Sequence, residues 1–417
     1  DLPDDVFPDA RAHQQQTTPD SQQEEEWLSY VEEEANDEVH VIPEDEEVQS
    51  KSPTADLLTW HYRLNHVPFE KIRQMAARGD LPAALRHCRV PKCAACLFGK
   101  ATRRAWRTKA PVNKMKTPPA TAPGSVVAID QMISALPGFI AQMRGFITGK
   151  RYKVITVFVD QFSGLSFVYT QKSTTAEETV QAKEAFERYA KTHGVTVRHY
   201  HADNGIFAEV GFVRAVEKNE QSISFCGVNA HHSNGHAEKR IRDLQENARA
   251  MLLHAKRRWP TAVSSHLWPY AIRMANEVHN FSPSIKEAIS PIEKFSQVQV
   301  SPRVKHCHTF GCPVYVLDGK LQVGKGVPKW DDRARIGLFL GFSPRHGRKV
   351  ALVLNLTTGH VSPQFHVVFD DLFDTLRPSS GNAFPKSLWQ QKAGFVLEDG
   401  TTVVPKKSEK KRATDND

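Results

Sequence analysis

Residues 125–132 read Ser-Val-Val-Ala-Ile-Asp-Gln-Met and residues 152–162 read Tyr-Lys-Val-Ile-Thr-Val-Phe-Val-Asp-Gln-Phe. Both are β-branched apolar runs of strand length, and Leu165–Thr170 follows the turn pair Ser163-Gly164, so the second and third runs form a hairpin. A helix comes next, opened by a capping box of Thr174 with Glu177 three residues on and closed at Gly194. Thr196–Ala202 then reads as a strand ending at Asp203, followed by a short helix around Val210–Glu217 and a strand Ser222–Cys226. A long helix runs from about Gly235 to Lys256. The order β-β-β-α-β-α-β-α predicts an α/β domain, a mixed sheet with helices packed on it.

Three acids occupy telling places in this pattern. Asp130 interrupts the apolar run Val127-Ala128-Ile129, where a carboxylate is costly unless it is paired or metal-bound. Asp203 ends the fourth strand in His-Ala-Asp-Asn-Gly, and Glu238 opens the long helix in Ser-Asn-Gly-His-Ala-Glu-Lys-Arg. Singly, Asp203 is also a turn residue and Glu238 a first-turn helix acid. Together they suit two divalent cations about 4 Å apart, magnesium or manganese, serving in-line phosphoryl transfer. Along the long helix, Ala237, Ile241, Leu244, Ala248 and Leu252 make an apolar stripe. Glu238, Arg242, Gln245 and Arg249 lie one residue round, an edge that is either a solvated charged face or a row of cations beside substrate phosphates. Lys239, Arg240, Arg242 and Arg249 are the candidate DNA-binding residues. Asp160, in Phe-Val-Asp-Gln-Phe-Ser-Gly, is expected to be a structural turn residue.

Ahead of this region, His61 and His66 are separated by four residues and Cys93 and Cys96 by two, spacings that let each pair converge on one tetrahedral zinc ion. A redox Cys-x-x-Cys pair with unrelated helix histidines would give the same letters, and His87 and Cys88 are rival ligands with poorer spacing. In so small a module the metal would carry much of the folding free energy.

Of the 417 residues, 40% are hydrophobic, enough for two or three domains with cores of their own. The net charge of +8 hides an asymmetry: residues 1–50 hold 17 Asp/Glu and one Arg, leaving the remainder about +24. A basic body favours a polyanion partner, because each neutralised phosphate releases counterions. The six cysteines are too few and uneven for a disulfide framework. No apolar run approaches the roughly 18 residues of a membrane span, and the first residues lack the features of a signal peptide, so an intracellular protein is expected. A start at Asp1 without Met fits a segment released from a precursor, as it fits a trimmed gene model.

These residues resemble the integrase of copia-type long-terminal-repeat retrotransposons over roughly residues 55 to 372. Trp60-His61 through Asn65-His66, with Cys93 and Cys96, look like that family's zinc module, and Asp130, Asp203 and Glu238 fall on its catalytic acids. The resemblance implies a ribonuclease H-like core performing strand transfer, with 3′-end processing dispensable where DNA ends are already blunt. It implies Zn2+ and Mg2+ or Mn2+ as cofactors, element ends and target DNA as partners, and a homo-oligomer acting in the nucleus and in cytoplasmic virus-like particles. The region from His306 to Phe373, with Phe310-Gly311-Cys312-Pro313, looks like an SH3-like β-barrel. The spacing departs from the family's: 34 residues separate Asp203 from Glu238, one fewer than usual, and 72 separate Asp130 from Asp203, with the excess placed in Ala135–Arg151. Ile206-Phe207-Ala208 also stands where the family often has a Glu shortly after Asp-Asn-Gly.

The expected domains are an acidic linker (1–50), a zinc-binding helical module (51–107), a linker (108–124), a ribonuclease H-like catalytic core (125–300), an SH3-like β domain (301–373) and a basic irregular tail (374–417). In the tail, Lys406, Lys407, Lys410, Lys411 and Arg412 read equally as a nuclear-import signal or a solvated linker. Two other functions compete with the integrase: a decayed or co-opted nucleic-acid-binding protein retaining the zinc module and basic surface, and a ribonuclease H acting on hybrids. The second has no reason to carry the His/His/Cys/Cys module.

Overall fold

In the computed structural model, residues 52–102, 120–141, 148–226, 234–285, 287–299, 304–347, 350–376 and 386–397 are described. The acidic stretch 1–50, most of the 108–124 connection and the cluster Lys406–Arg412 lie outside them. Three helices come first, α1 (Pro53–Arg63), α2 (Phe69–Arg78) and α3 (Ala94–Gly99). The central sheet is built from β1 (Val127–Gly138), β2 (Tyr152–Asp160), β3 (Ser166–Gln171), β4 (His199–Ala202) and β5 (Ser222–Phe225). Between its strands lie α4 (Ala176–Thr192) and α5 (Val210–Glu217), and after them α6 (Gly235–Arg258), α7 (Trp268–Phe281) and α8 (Pro291–Ser296).

The strand order is β3-β2-β1-β4-β5. β1 pairs antiparallel with β2, and β2 with β3, whereas β4 pairs parallel with both β1 and β5. Parallel neighbours need crossover connections, which α4 and α5 supply, so the sheet is mixed as expected. Alternation along the strands then divides the apolar residues between two faces. Val127, Ile129 and Phe158 pack with Phe186 of α4 and Phe212 of α5. Ala128, Val157 and Val159 pack on the other side with Ala237, Leu244 and Ala248 of α6 and with α7.

Two local expectations shift. The cap of α4 is Thr175, whose side chain accepts from the Glu178 N–H, in place of Thr174 with Glu177. Glu178 reaches back past the cap to accept from the N–H groups of Lys172 and Ser173 at 2.7 and 3.0 Å, tying off the end of β3. β1 also runs beyond Met132 to Gly138, which faces Tyr152 across an irregularity in the ladder. Part of Ala135–Arg151 therefore extends the sheet, and Phe139 just beyond it is buried against Trp389.

A second sheet follows: β6 (Pro313–Leu317), β7 (Ala334–Phe342), β8 (Ala351–Leu354), β9 (Val361–Gln364) and β10 (Val367–Phe369). All its pairings are antiparallel, and the last strand returns to the first in the order β10-β6-β7-β8-β9. Its buried residues are continuous with those of the central region. Val314, Leu338, Phe339 and Val353 belong to the same buried cluster as Ala255, Trp259 and Met274. The first three helices are docked likewise: Leu57, Ile72 and Met75 pack on Val278 and Phe281 of α7, and Arg78 forms two hydrogen bonds to Glu293 at 2.6 and 2.9 Å.

The tail departs most from expectation. Within the stretch read as irregular, Trp389–Lys392 forms a one-turn helix whose Trp389 is fully buried and donates its indole N–H to the Ala262 carbonyl at 2.7 Å. Phe395 is buried beside it and stacks on His266. Replacing Trp389 by Ala leaves a cavity and an unpaired carbonyl, so we expect a loss of about 3–5 kcal/mol. Urea unfolding checks this; an unchanged midpoint would place the tail outside the cooperative unit.

Candidate active site and metal centre

α1 ends in two consecutive left-handed residues, Asn65 and His66, each with φ of 57°. Non-glycine residues rarely hold this conformation. Here it closes the helix through the His66 N–H to the His61 carbonyl at 2.8 Å and turns the second imidazole back onto the first. Cys93 caps α3 and Cys96 lies in its first turn, so a second reversal brings in the thiols. His61 Nε2 stands 3.2 Å from both His66 Nδ1 and Cys96 Sγ, and His66 Nδ1 stands 3.5 and 3.6 Å from the sulfurs of Cys93 and Cys96.

A tetrahedral zinc with Zn–N near 2.05 Å and Zn–S near 2.3 Å has ligand separations of about 3.3 Å for N–N and about 3.6 Å for N–S. The quartet therefore fits the ion. His61 Nδ1 faces the Val67 carbonyl at 2.9 Å, so that nitrogen carries the proton and Nε2 is left with its lone pair toward the site. Burial first, then the charges of His61, His254 and Lys100, holds His66 well below the ordinary histidine value, in the neutral form a metal requires. The rival ligands are elsewhere: His87 is exposed, and the Cys88 thiol points to the Leu85 carbonyl.

The three carboxylates converge from separate elements. In the β1–β4 ladder Ala128 stands opposite His201, and the same register carried two residues further sets Asp130 beside Asp203. Asn234, at the N-cap of α6, donates its side-chain amide to the Ile129 carbonyl at 2.9 Å, which ties the helix start to the residue before Asp130. Glu238 is thereby delivered one turn into α6 on the same side. All three are half-buried. Burial above all, with added repulsion from Asp203 and Glu238, raises the Asp130 carboxyl from 3.8 to about 6 although the Gln131 N–H donates to it at 2.7 Å. Among the described residues the His61, His66, Cys93 and Cys96 quartet is the one group of three or more such ligands gathered closely enough to hold a metal ion, its ligand atoms all within 4.8 Å of one another, and the three carboxylates are not so gathered. Asp203 is held in an Asn-Gly turn in which Asn204 donates to the Cys226 carbonyl at 2.9 Å.

Asp160 shows what a structural strand acid looks like. Fully buried, it accepts from the Gly124 N–H at 2.8 Å, the Ser163 N–H at 2.8 Å and the Ser163 hydroxyl at 2.5 Å. These bonds consume the carboxylate in the β2–β3 turn, as the sequence suggests.

The four basic candidates divide. Lys239 and Arg242 are exposed on α6. Arg240 turns inward, bonded to His279 Nδ1 at 2.9 Å and the Gly164 carbonyl at 3.4 Å, and only 15% of its side chain is exposed. Arg249 donates to the Gly99 carbonyl at 3.0 Å, joining α6 to α3. The periodicity of α6 places these residues on its polar side but cannot show that α3 and α7 cover part of that side. Sequence reasoning also missed Lys100, which donates to the His66 carbonyl and the Asn247 side chain, and His254, whose ring lies 5.1 Å from that of His66. Neither belongs to a local motif.

No protein-family model matches the sequence, and a comparison with curated proteins finds no match. Among solved structures the chain is similar to a simian T-cell lymphotropic virus intasome in complex with a PP2A regulatory subunit, at 15% identity and a TM-score of 0.35 over 64% of this chain and 84% of that one. It is similar to the HTLV-2 integrase catalytic core domain in complex with magnesium, at 18% identity and a TM-score of 0.30, over 42% of this chain and 97% of that one. A BIV integrase catalytic core gives 16% identity and a TM-score of 0.30 over 42% and 95%.

The raised Asp130 carboxyl has a consequence for pH. A carboxyl whose folded value lies above the unfolded value near 3.9 contributes stability below that value and loses it as pH rises through the folded one. Without divalent cations, Asp130→Asn is therefore expected to stabilise the protein at pH 7.5, with the gain fading between pH 6 and 4. Thermal melts in chelator across that range measure it; a gain that persists unchanged at pH 4 would contradict the assignment.

Proposed function

We propose that this chain is the integrase region of a copia-type retrotransposon polyprotein, a polynucleotidyl transferase that joins DNA ends into target DNA. The observation that carries the reading is the pairing of two ligand sets on one helix. At its start α6 holds Glu238 beside Asp130 and Asp203, and further along it packs against the His61, His66, Cys93 and Cys96 quartet through His254 and Leu253. Hard carboxylate oxygens suit Mg2+ or Mn2+, and the imidazole and thiolate set suits Zn2+. The strand order of the second sheet, an antiparallel meander whose fifth strand returns to the first, supports reading it as the SH3-like element beside a ribonuclease H-like core.

In strand transfer a DNA 3′ hydroxyl oxygen forms a bond to a target phosphorus while that phosphorus loses its bond to the neighbouring 3′ oxygen, which leaves as the new hydroxyl. Bound divalent cations would lower the energy of the attacking and leaving oxygens. The protein's task is placement. The sheet fixes Asp130 and Asp203 at one register, and the Asn234 bond holds Glu238 to them. Asp130, half-buried and repelled by its neighbours, is more favourably ionised once cations occupy the site. The exposed Lys239 and Arg242 would meet DNA phosphates on the same helix. Action in the nucleus, as a homo-oligomer on element ends and target DNA, belongs to this reading, with the basic tail a candidate import signal.

Asp130→Asn, Asp203→Asn and Glu238→Gln keep shape and remove charge. Each is expected to lower strand transfer between short terminal-repeat duplexes by several orders of magnitude while DNA affinity is largely kept. A folded Asp203→Asn protein that joins ends at the unsubstituted rate would end the reading, and an unsubstituted protein that binds DNA without joining it would favour the decayed nucleic-acid-binding alternative. For the quartet, one zinc per chain is expected, with Cys93→Ser losing the metal and much of the stability of residues 52–102. Metal analysis that finds no zinc in the purified chain would remove that centre.

A further inference from the structure

Between the first three helices and the central sheet lies an open cavity of about 1380 Å3. Lys71 and Lys100 contribute from the helical module, His199 and His201 from β4, and His236 and Lys239 from α6. His236 and Lys239 lie on either side of Glu238 in sequence, so the cavity begins one residue round the helix from the acid.

Most of its cations are already engaged within the protein. Lys100 donates to the His66 carbonyl and to Asn247, Arg240 to His279 and Gly164, and Lys294 pairs with Glu287 at 3.0 Å. Lys71 differs. It is half-buried, and among the described residues no hydrogen bond or ion pair reaches its ammonium. Burial, and then the nearby Arg240 guanidinium, lowers its amine to about 8, with Asp243 offsetting part of this. An ammonium withdrawn from water beside a second cation, with no direct hydrogen bond or ion pair and only a partial offset from Asp243, is stabilised further by an incoming anion. Lys239, exposed on α6 in the same lining, has no hydrogen-bond or ion-pair partner among the described residues either. The His199 and His201 rings are held in place by Ser222 and Ser224, at 2.8–2.9 Å, and add polar edges to the cleft.

We propose that this cleft is a track for the phosphodiester backbone of a DNA strand, with Lys71 of the helical module and Lys239 of α6 as its phosphate ligands. It rests on the reading of the chain as a DNA-joining enzyme, and adds that the module forms one wall of the DNA path within the same chain. The module thus does more than hold a metal: α2 carries a cation into the cleft that starts at the catalytic helix. A phosphate in this cleft gives Lys71 and Lys239 the direct anionic contact that neither makes within the described residues.

The test is the salt dependence of binding of a short labelled DNA duplex to the full chain, for the unsubstituted protein, Lys71→Met, Lys71→Arg and Lys191→Met. Each phosphate contact contributes about 0.9 to the slope of log affinity against log salt. Lys71→Met is expected to weaken binding and reduce the slope by about one, alike for different DNA sequences, while Lys71→Arg keeps both. Lys191→Met, exposed on α4 on the other side of the sheet, is expected to change neither. Thermal melting should show Lys71→Met at least as stable as the unsubstituted protein, since it removes a charge that is only partly offset, and this separates lost contact from lost fold. Inorganic pyrophosphate is expected to compete only weakly; if it displaces the duplex at equimolar concentration, the cleft is a small-anion site and the track is wrong. An unchanged slope in a folded Lys71→Met protein overturns the inference even if the enzyme joins DNA ends. If the slope falls by one in a protein that joins nothing, the track stands and the catalytic reading is what fails.

Discussion

Close backbone approach to α6 is the contact on which the rest of this structure depends. The helix is lined with alanines at Ala237, Ala248, Ala250 and Ala255, all buried. Gly99 at the end of α3 meets it so closely that an added Cβ would lie 3.1 Å from the Ala250 Cα. Gly311, at φ 74°, approaches from the second sheet, where a Cβ would come within 2.7 Å of the Ala255 Cβ. One helix can therefore touch the first three helices, the central sheet and the second sheet at once. Larger residues at these positions would force these elements apart and move the His/Cys quartet away from the three acids.

The same crowding explains why elements that look like separate domains share cores. Residues 52–102 bury Leu57, Ile72 and Met75 partly against α7, and the second sheet closes the far side of α6 and α7. A small sheet and a three-helix module each bury little apolar surface by themselves, and both add to it by packing on their neighbours. Trp389 and Phe395 fill what remains of the shared cluster.

Electrostatics separates two kinds of strand acid. Asp130 and Asp160 sit on neighbouring strands, and burial raises both carboxyls. Asp160 meets donors on both oxygens and is spent on a turn. Asp130 has one backbone donor and two like charges, an arrangement that is unfavourable by itself and that cations relieve. Lys71 is the mirror case, a cation whose burial and Arg240 neighbour are only partly offset by Asp243.

The sequence by itself determined the strand and helix order of the central domain, because apolar alternation and helix periodicity are local signals. It also determined which acids interrupt apolar runs and which His and Cys pairs can meet on one ion, since ligand spacing within a turn is local too. Even there, the α4 cap fell one residue later, because Glu178 reaches past it to Lys172 and Ser173. Only the tertiary structure decided that Arg240 turns inward to His279 while Lys71 from another element faces the cleft, for a helix wheel shows a polar side without showing what covers it. Only it placed Trp389 in the core, because a single aromatic in a polar tail carries no periodicity, and its burial depends on a gap between helices far away in the chain.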